Sequence, residues 1–169
     1  MNRKLVHTLF LMVLMVMITL SASVARADSL NIVFDPASVA GVAGTTVSFS
    51  ATLTAPTSNS AAVDLYSDSV SIAGPFTPTD IDDSGFLFGA PLTMNPGDTY
   101  TGLMFTLSIP ANTPEFVSYP GFFSITNSAG ATLGTGQFAV TAVPEPASML
   151  LLGSGLSGLV GVIRRKRQS

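Results

Sequence analysis

Thr46-Val47-Ser48-Phe49-Ser50-Ala51-Thr52-Leu53-Thr54 alternates strictly: Val47, Phe49, Ala51 and Leu53 are apolar, and hydroxyl residues fill every position between them. Successive side chains of a strand point to opposite faces, so this period of two predicts a strand half buried against a core. Leu103, Phe105, Leu107 and Ile109 repeat the pattern, alternating with Met104, Thr106 and Ser108. Shorter runs extend it on either side: Leu30-Ile32-Phe34, Val63-Leu65, Val70-Ile72, Phe86-Phe88, Phe123-Ile125 and Phe138-Val140.

Turn-forming residues punctuate these runs at Asp35-Pro36, Gly41 to Gly44, Ala55-Pro56, Gly74-Pro75, Asn95-Pro96-Gly97-Asp98, Pro110, Tyr119-Pro120-Gly121 and Ser128-Ala129-Gly130. Sustained helical periodicity is missing between them. Seven or eight short strands in this length predict an all-β domain, a single antiparallel β-sandwich of immunoglobulin-like type. The passage from Asn95 to Thr101, followed by Phe105 to Pro110, resembles late strands of bacterial Ig-like surface modules. The organisation read from the chain is residues 1–27, a β domain over 28–142, and a C-terminal segment over 143–169.

Charge separates these parts. All seven Lys and Arg lie outside the middle: Arg3, Lys4, Arg26, Arg164, Arg165, Lys166 and Arg167. Between Asp28 and Val143 there are nine carboxylates and no basic side chain, a formal charge of −9. Phosphate binding depends on Lys and Arg, so nucleic acid is excluded as a partner. The chain has no Cys, which removes disulfides and thiolate metal sites.

The same composition restricts chemistry. Without His, Cys, Lys or Arg in the middle segment, Ser-His-Asp, Cys-His and Ser-Lys catalysis and Schiff-base formation all lack a member. Only paired carboxylates would remain, and the predicted protein is not an enzyme. The dense acidic stretch is Asp80-Ile81-Asp82-Asp83-Ser84-Gly85. Asp83-Ser84-Gly85 matches the D-S-G of aspartic proteases, but a second copy is missing. As a calcium loop, Asp80, Asp82 and Ser84 would supply positions one, three and five, Gly85 the turn at six, and the carbonyl of Phe86 position seven. Position twelve, normally a bidentate Glu, is Pro91. The favoured reading is a solvated acidic turn with no cofactor; weak calcium binding is the alternative.

The N-terminus has Arg3 and Lys4, an uncharged run from Leu9 to Ile18, and Ala25-Arg26-Ala27 before Asp28. A basic start, an apolar stretch and small residues at −3 and −1, here Ala25 and Ala27, make a secretory signal peptide cleaved by signal peptidase. The C-terminus has Val143-Pro144-Glu145-Pro146, an apolar stretch over 147–163, then Arg164-Arg165-Lys166-Arg167. As a helix, that stretch reaches about 25 Å, the low end of what crosses a bilayer. The basic cluster would stay cytoplasmic, leaving the Pro-Glu-Pro outside. Four glycines, Gly153, Gly155, Gly158 and Gly161, make it a poor permanent anchor.

The order of motif, span and basic cluster over Val143 to Arg167 resembles the PEP-CTERM sorting signal of Gram-negative bacteria. The resemblance implies recognition by exosortase, a membrane-embedded processing enzyme, after passage through the secretion machinery. It also implies a transient stay in the inner membrane and then a place at the cell surface or outside, near exopolysaccharide. The expected function is therefore an exported, non-enzymatic surface or matrix protein. The alternative is a calcium-dependent carbohydrate-binding or adhesion module.

Overall fold

A computed structural model describes residues 28–145, 150–151 and 153–154. Ten strands form among them: β1 (Asn31–Phe34), β2 (Ser38–Val42), β3 (Thr46–Thr54), β4 (Val63–Asp64), β5 (Ser67–Ile72), β6 (Ile81–Asp82), β7 (Thr93–Met94), β8 (Thr99–Ser108), β9 (Ser118–Thr126) and β10 (Thr132–Val143). One short helix, α1 (Ser84–Gly89), lies between β6 and β7, and a 3₁₀ turn spans Pro78–Asp80. The first sheet has the order β1-β3-β8-β6 and the second β2-β10-β9-β5; β4 and β7 make a separate two-stranded ribbon. The protein is all-β, as the alternation predicts.

Both sheets feed one core. Phe34, Phe49 and Phe105 from the first sheet meet Phe123 and Phe138 from the second, and Phe86 of α1 joins them. Phe49 and Phe105 stack with centroids 4.9 Å apart, and Phe34 stands edge-on to Phe49, Phe105 and Phe123. Such ring pairs each contribute about 0.5–1.5 kcal/mol beyond the area they bury. Phe138 lies across from Gly121, and a Cβ at Gly121 would strike its ring. The aromatic layer thus sits directly on the backbone of the second sheet.

Outside the core the hydroxyls of β3 and β8 face each other. Thr46 pairs with Ser108 at 3.2 Å between oxygens, and Thr52 with Thr101 at 2.9 Å. These cross-strand hydroxyl pairs lie on the solvent-exposed face of the sheet.

Four expectations need correction. Leu103 is not on the buried face of β8: it is 38% exposed, while Met104 is fully buried. Phe49 pairs with Phe105 but Ser50 pairs with Leu103, so Met104 is the extra residue of a β-bulge. The bulge shifts the phase by one and keeps both Met104 and Phe105 inside. Phe86 to Phe88 is helix, not strand: the Asp83 carbonyl accepts the N–H of Phe86 and Leu87, at 3.0 and 3.1 Å, and only Phe86 turns inward.

Tyr119-Pro120-Gly121 lies within β9, not in a turn. The Pro120 carbonyl accepts from Ala73, just past the end of β5. Its missing N–H faces that same side, so the ladder to β10 loses no donor. Finally, the sheets are not wholly antiparallel. β2 runs parallel to β10, and the chain steps from the first sheet to the second between Phe34 and Ser38. The Asn95–Asp98 turn is as expected, with Gly97 at φ +94°, a conformation that favours glycine, and Asp98 accepting from the Asn95 N–H at 2.7 Å.

Candidate functional site

The C-terminal exit of the domain is held in the sheet up to Val143. Val143 is the end of β10 and pairs with Val42. Ala142 is fully buried, donates to the Val117 carbonyl at 3.1 Å and accepts from Phe116 at 2.7 Å. Pro144 has no N–H to continue a ladder, so the strand stops there. Glu145 follows, exposed to solvent. Val143, Pro144 and Glu145 of the Val143-Pro144-Glu145-Pro146 motif are therefore delivered at the end of an inner strand of the second sheet, with the acid accessible.

Beyond it, Leu150, Leu151, Gly153 and Ser154 are helical, with both leucines exposed and the Ser154 hydroxyl donating to the Leu151 carbonyl at 3.0 Å. Pro146, the rest of the 147–163 stretch, Arg164, Arg165, Lys166 and Arg167 lie outside the described residues, as does the 1–27 segment with Ala25 and Ala27. Among the described residues no helix is long and apolar enough to cross a membrane.

The acidic stretch is already occupied by local hydrogen bonds. Asp80 closes the 3₁₀ turn, its Oδ2 accepting from the Thr77 N–H at 2.7 Å and the Thr77 hydroxyl at 2.8 Å. Asp82, on β6, accepts from the Ser84 N–H at 3.0 Å, and these bonds to Ser84 hold its carboxyl below the ordinary range. Ser84 opens α1, and the Phe86 carbonyl accepts from Ala90 at 3.0 Å. Positions one, three and seven of the calcium reading thus each already accept hydrogen bonds from within the chain. Among the described residues no three acidic, imidazole or thiol side chains converge on a point that could hold a metal ion.

A different pair of carboxylates is brought together by the fold. Asp68 lies on β5 in the same phase as Val70 and Ile72, so it faces inward. Its Oδ2 is buried with no hydrogen-bond partner. Burial first, and then the neighbouring charge of Asp83, push its pKa up to about 6. Asp83 also lines a cleft of about 360 Å³ between the outer strands β5 and β6, walled by Val70, Ile72, Phe76 and Ile81. Sequence reading passed over Asp68. Extending the period of two back from Ile72 and Val70 places it on the core-facing side, and that was the available signal.

Residues 142–167 match the family model of the PEP-CTERM protein-sorting motif. The C-terminal segment is a PEP-CTERM sorting signal. Such a signal implies an exported protein that transits a membrane and is processed there by exosortase. The match is confined to this segment and starts at Ala142, the last buried residue of β10. The domain and the PEP-CTERM signal therefore share their junction.

No protein with a curated description matches the chain. Several solved structures are similar to it, two of which align as follows. A family 123 glycoside hydrolase from Clostridium perfringens, studied for glycolipid glycan hydrolysis, aligns with TM-score 0.47 and 11% identity over 69% of this chain. The chain spans 28% of that hydrolase's length. The structure of the sixth cohesin from Acetivibrio cellulolyticus scaffoldin B, in complex with a Cel5 dockerin mutant, aligns with TM-score 0.32 and 12% identity, over 68% of this chain and 99% of the other.

Proposed function

We propose that this is an exported, non-enzymatic cell-surface or matrix protein of a Gram-negative-type bacterium, associated with exopolysaccharide. Its β domain, an immunoglobulin-like sandwich, is the module that makes contacts. The carrying observation is the PEP-CTERM match over 142–167, joined to a domain whose last strand ends at Val143. In this reading residues 1–27 direct export and are removed at Ala27. The 147–163 stretch then crosses the inner membrane while Arg164 to Arg167 remain behind, since each basic residue costs roughly 2.5–3.5 kcal/mol at mid-bilayer.

A span near the minimum length holds Glu145 at a defined height above the membrane. Pro144 and Pro146 keep the backbone around it out of a helix and open to an enzyme in the same membrane. The non-enzymatic reading is supported by composition: between Asp28 and Val143 there is no His, Cys, Lys or Arg to act as base, nucleophile or cation. Replacing Pro144, Glu145 and Pro146 together by alanine tests the sorting role. Fractionation of the cells is expected to leave the variant in the inner membrane, with wild-type protein outside. Equal release of both would refute it.

A further inference from the structure

The two main sheets end side by side at β5 and β6, and there the core is not closed. The cleft between them is apolar along Val70, Ile72, Phe76 and Ile81 and acidic at Asp83. Its volume, about 360 Å³, falls within the range of built binding sites. β5 is the last strand of its sheet. Ala73 donates to Pro120 on the β9 side, so alternation turns the N–H and C=O of Ile72 and Val70 to the outer edge. Among the described residues no other strand pairs with that edge.

We propose that this margin receives an extended segment of a basic partner protein, which adds to β5 as a further strand and sets a Lys or Arg against Asp83. A strand added there would continue the second sheet, and its inward side chains would cover Ile72, Phe76 and Ile81. Main-chain pairing gives such strand addition its affinity, and alternate side chains give its specificity.

Charge identifies the occupant. The buried Oδ2 of Asp68 accepts no hydrogen bond, and Asp83 stands beside it. Between Asp28 and Val143 there are nine carboxylates and no basic side chain, so the charge that complements this margin comes from outside the domain, and a basic partner supplies it. A second copy of the same domain is repelled. An inward-facing carboxylate on an edge strand protects that edge against pairing with its own kind. This inference goes beyond the sorting role and does not depend on it.

The test is an NMR titration of the isotope-labelled full chain in detergent micelles. The probe is a capped six-residue peptide of alternating valine and threonine with lysine at its third position; the control carries glutamate there. The lysine peptide is expected to shift the amides of Val70 to Ile72 and Ile81 to Asp83, and the glutamate peptide to leave them in place. Asp83→Asn, which retains a residue suited to the helix N-cap, is expected to weaken the lysine peptide about tenfold, the effect of one charge-assisted contact. Absence of shifts at millimolar peptide, shifts confined to the other edge strand β2, or equal response to both peptides overturns the proposal. Should Asp83→Asn fail to fold, the comparison of the two peptides on the unaltered chain decides alone.

Discussion

The domain has two margins where its sheets end, and they are built differently. At one, β1 closes the first sheet and β2 the second, and the chain passes from one to the other at Asp35–Pro36. Ile32 and Phe34 lie so close to β10 that a Cβ at Gly136 would come within 2.7 Å of Ile32. At the other margin β5 and β6 part around a cleft, and a carboxylate faces inward. One margin is sealed by its own chain. The other presents a free strand edge and unpaired acceptors, and places where a sheet is unfinished are where a partner is added.

The largest expected difference is in stability. Phe34→Ala at the sealed margin removes a buried ring that touches four others and is expected to cost about 3–5 kcal/mol in urea unfolding. Ile81→Ala at the open margin removes a side chain that water already reaches, and about 1 kcal/mol is expected. Equal costs would mean that the margins do not differ.

A smaller effect sharpens the comparison through pH. Asp68 holds its proton more tightly folded than unfolded, its pKa standing at about 6 against an ordinary 3.8. The cost of its charge is therefore absent below the unfolded value, grows as pH rises between the two, and is complete above about 6. Asp68→Asn is expected to stabilise the protein at pH 7.5 by about 1 kcal/mol, after discounting for the solvent screening of a half-exposed group. The gain should vanish at pH 4. A variant equally stabilised at both values would contradict burial of the charge.

The smallest effect is expected from calcium. With Asp80 bonded to Thr77, Asp82 to Ser84 and the Phe86 carbonyl to Ala90, millimolar Ca²⁺ should leave the melting temperature unchanged. A rise abolished by Asp80→Asn with Asp82→Asn would restore the calcium loop.

The residues differ in how plainly they announced these features. Val47 to Leu53 alternate without interruption, and every one of those apolar residues is buried. Around Leu103 the apolar Met104 interrupts the alternation, but placing the bulge there depends on the partner strand, which a local period does not contain. Phe86 to Phe88 is too short for periodicity to separate helix from strand, and the bonds from Asp83 decided it. Pro120 reads as a turn until the end of β5 is known. The cleft could not be read at all, because it joins Ile72 and Ile81 through the edges of two sheets. The sorting signal was the reverse case: motif, span and basic cluster are local, and the order of residues alone carried it.

That signal is the centre of the account, and intact-mass analysis of the wild-type protein recovered outside the cell tests it most directly. The expected mass corresponds to a chain beginning at Asp28 and lacking Arg164 to Ser169. A mass that retains Arg164 to Ser169 on the exported, mature protein would contradict processing and make the C-terminal segment a permanent anchor.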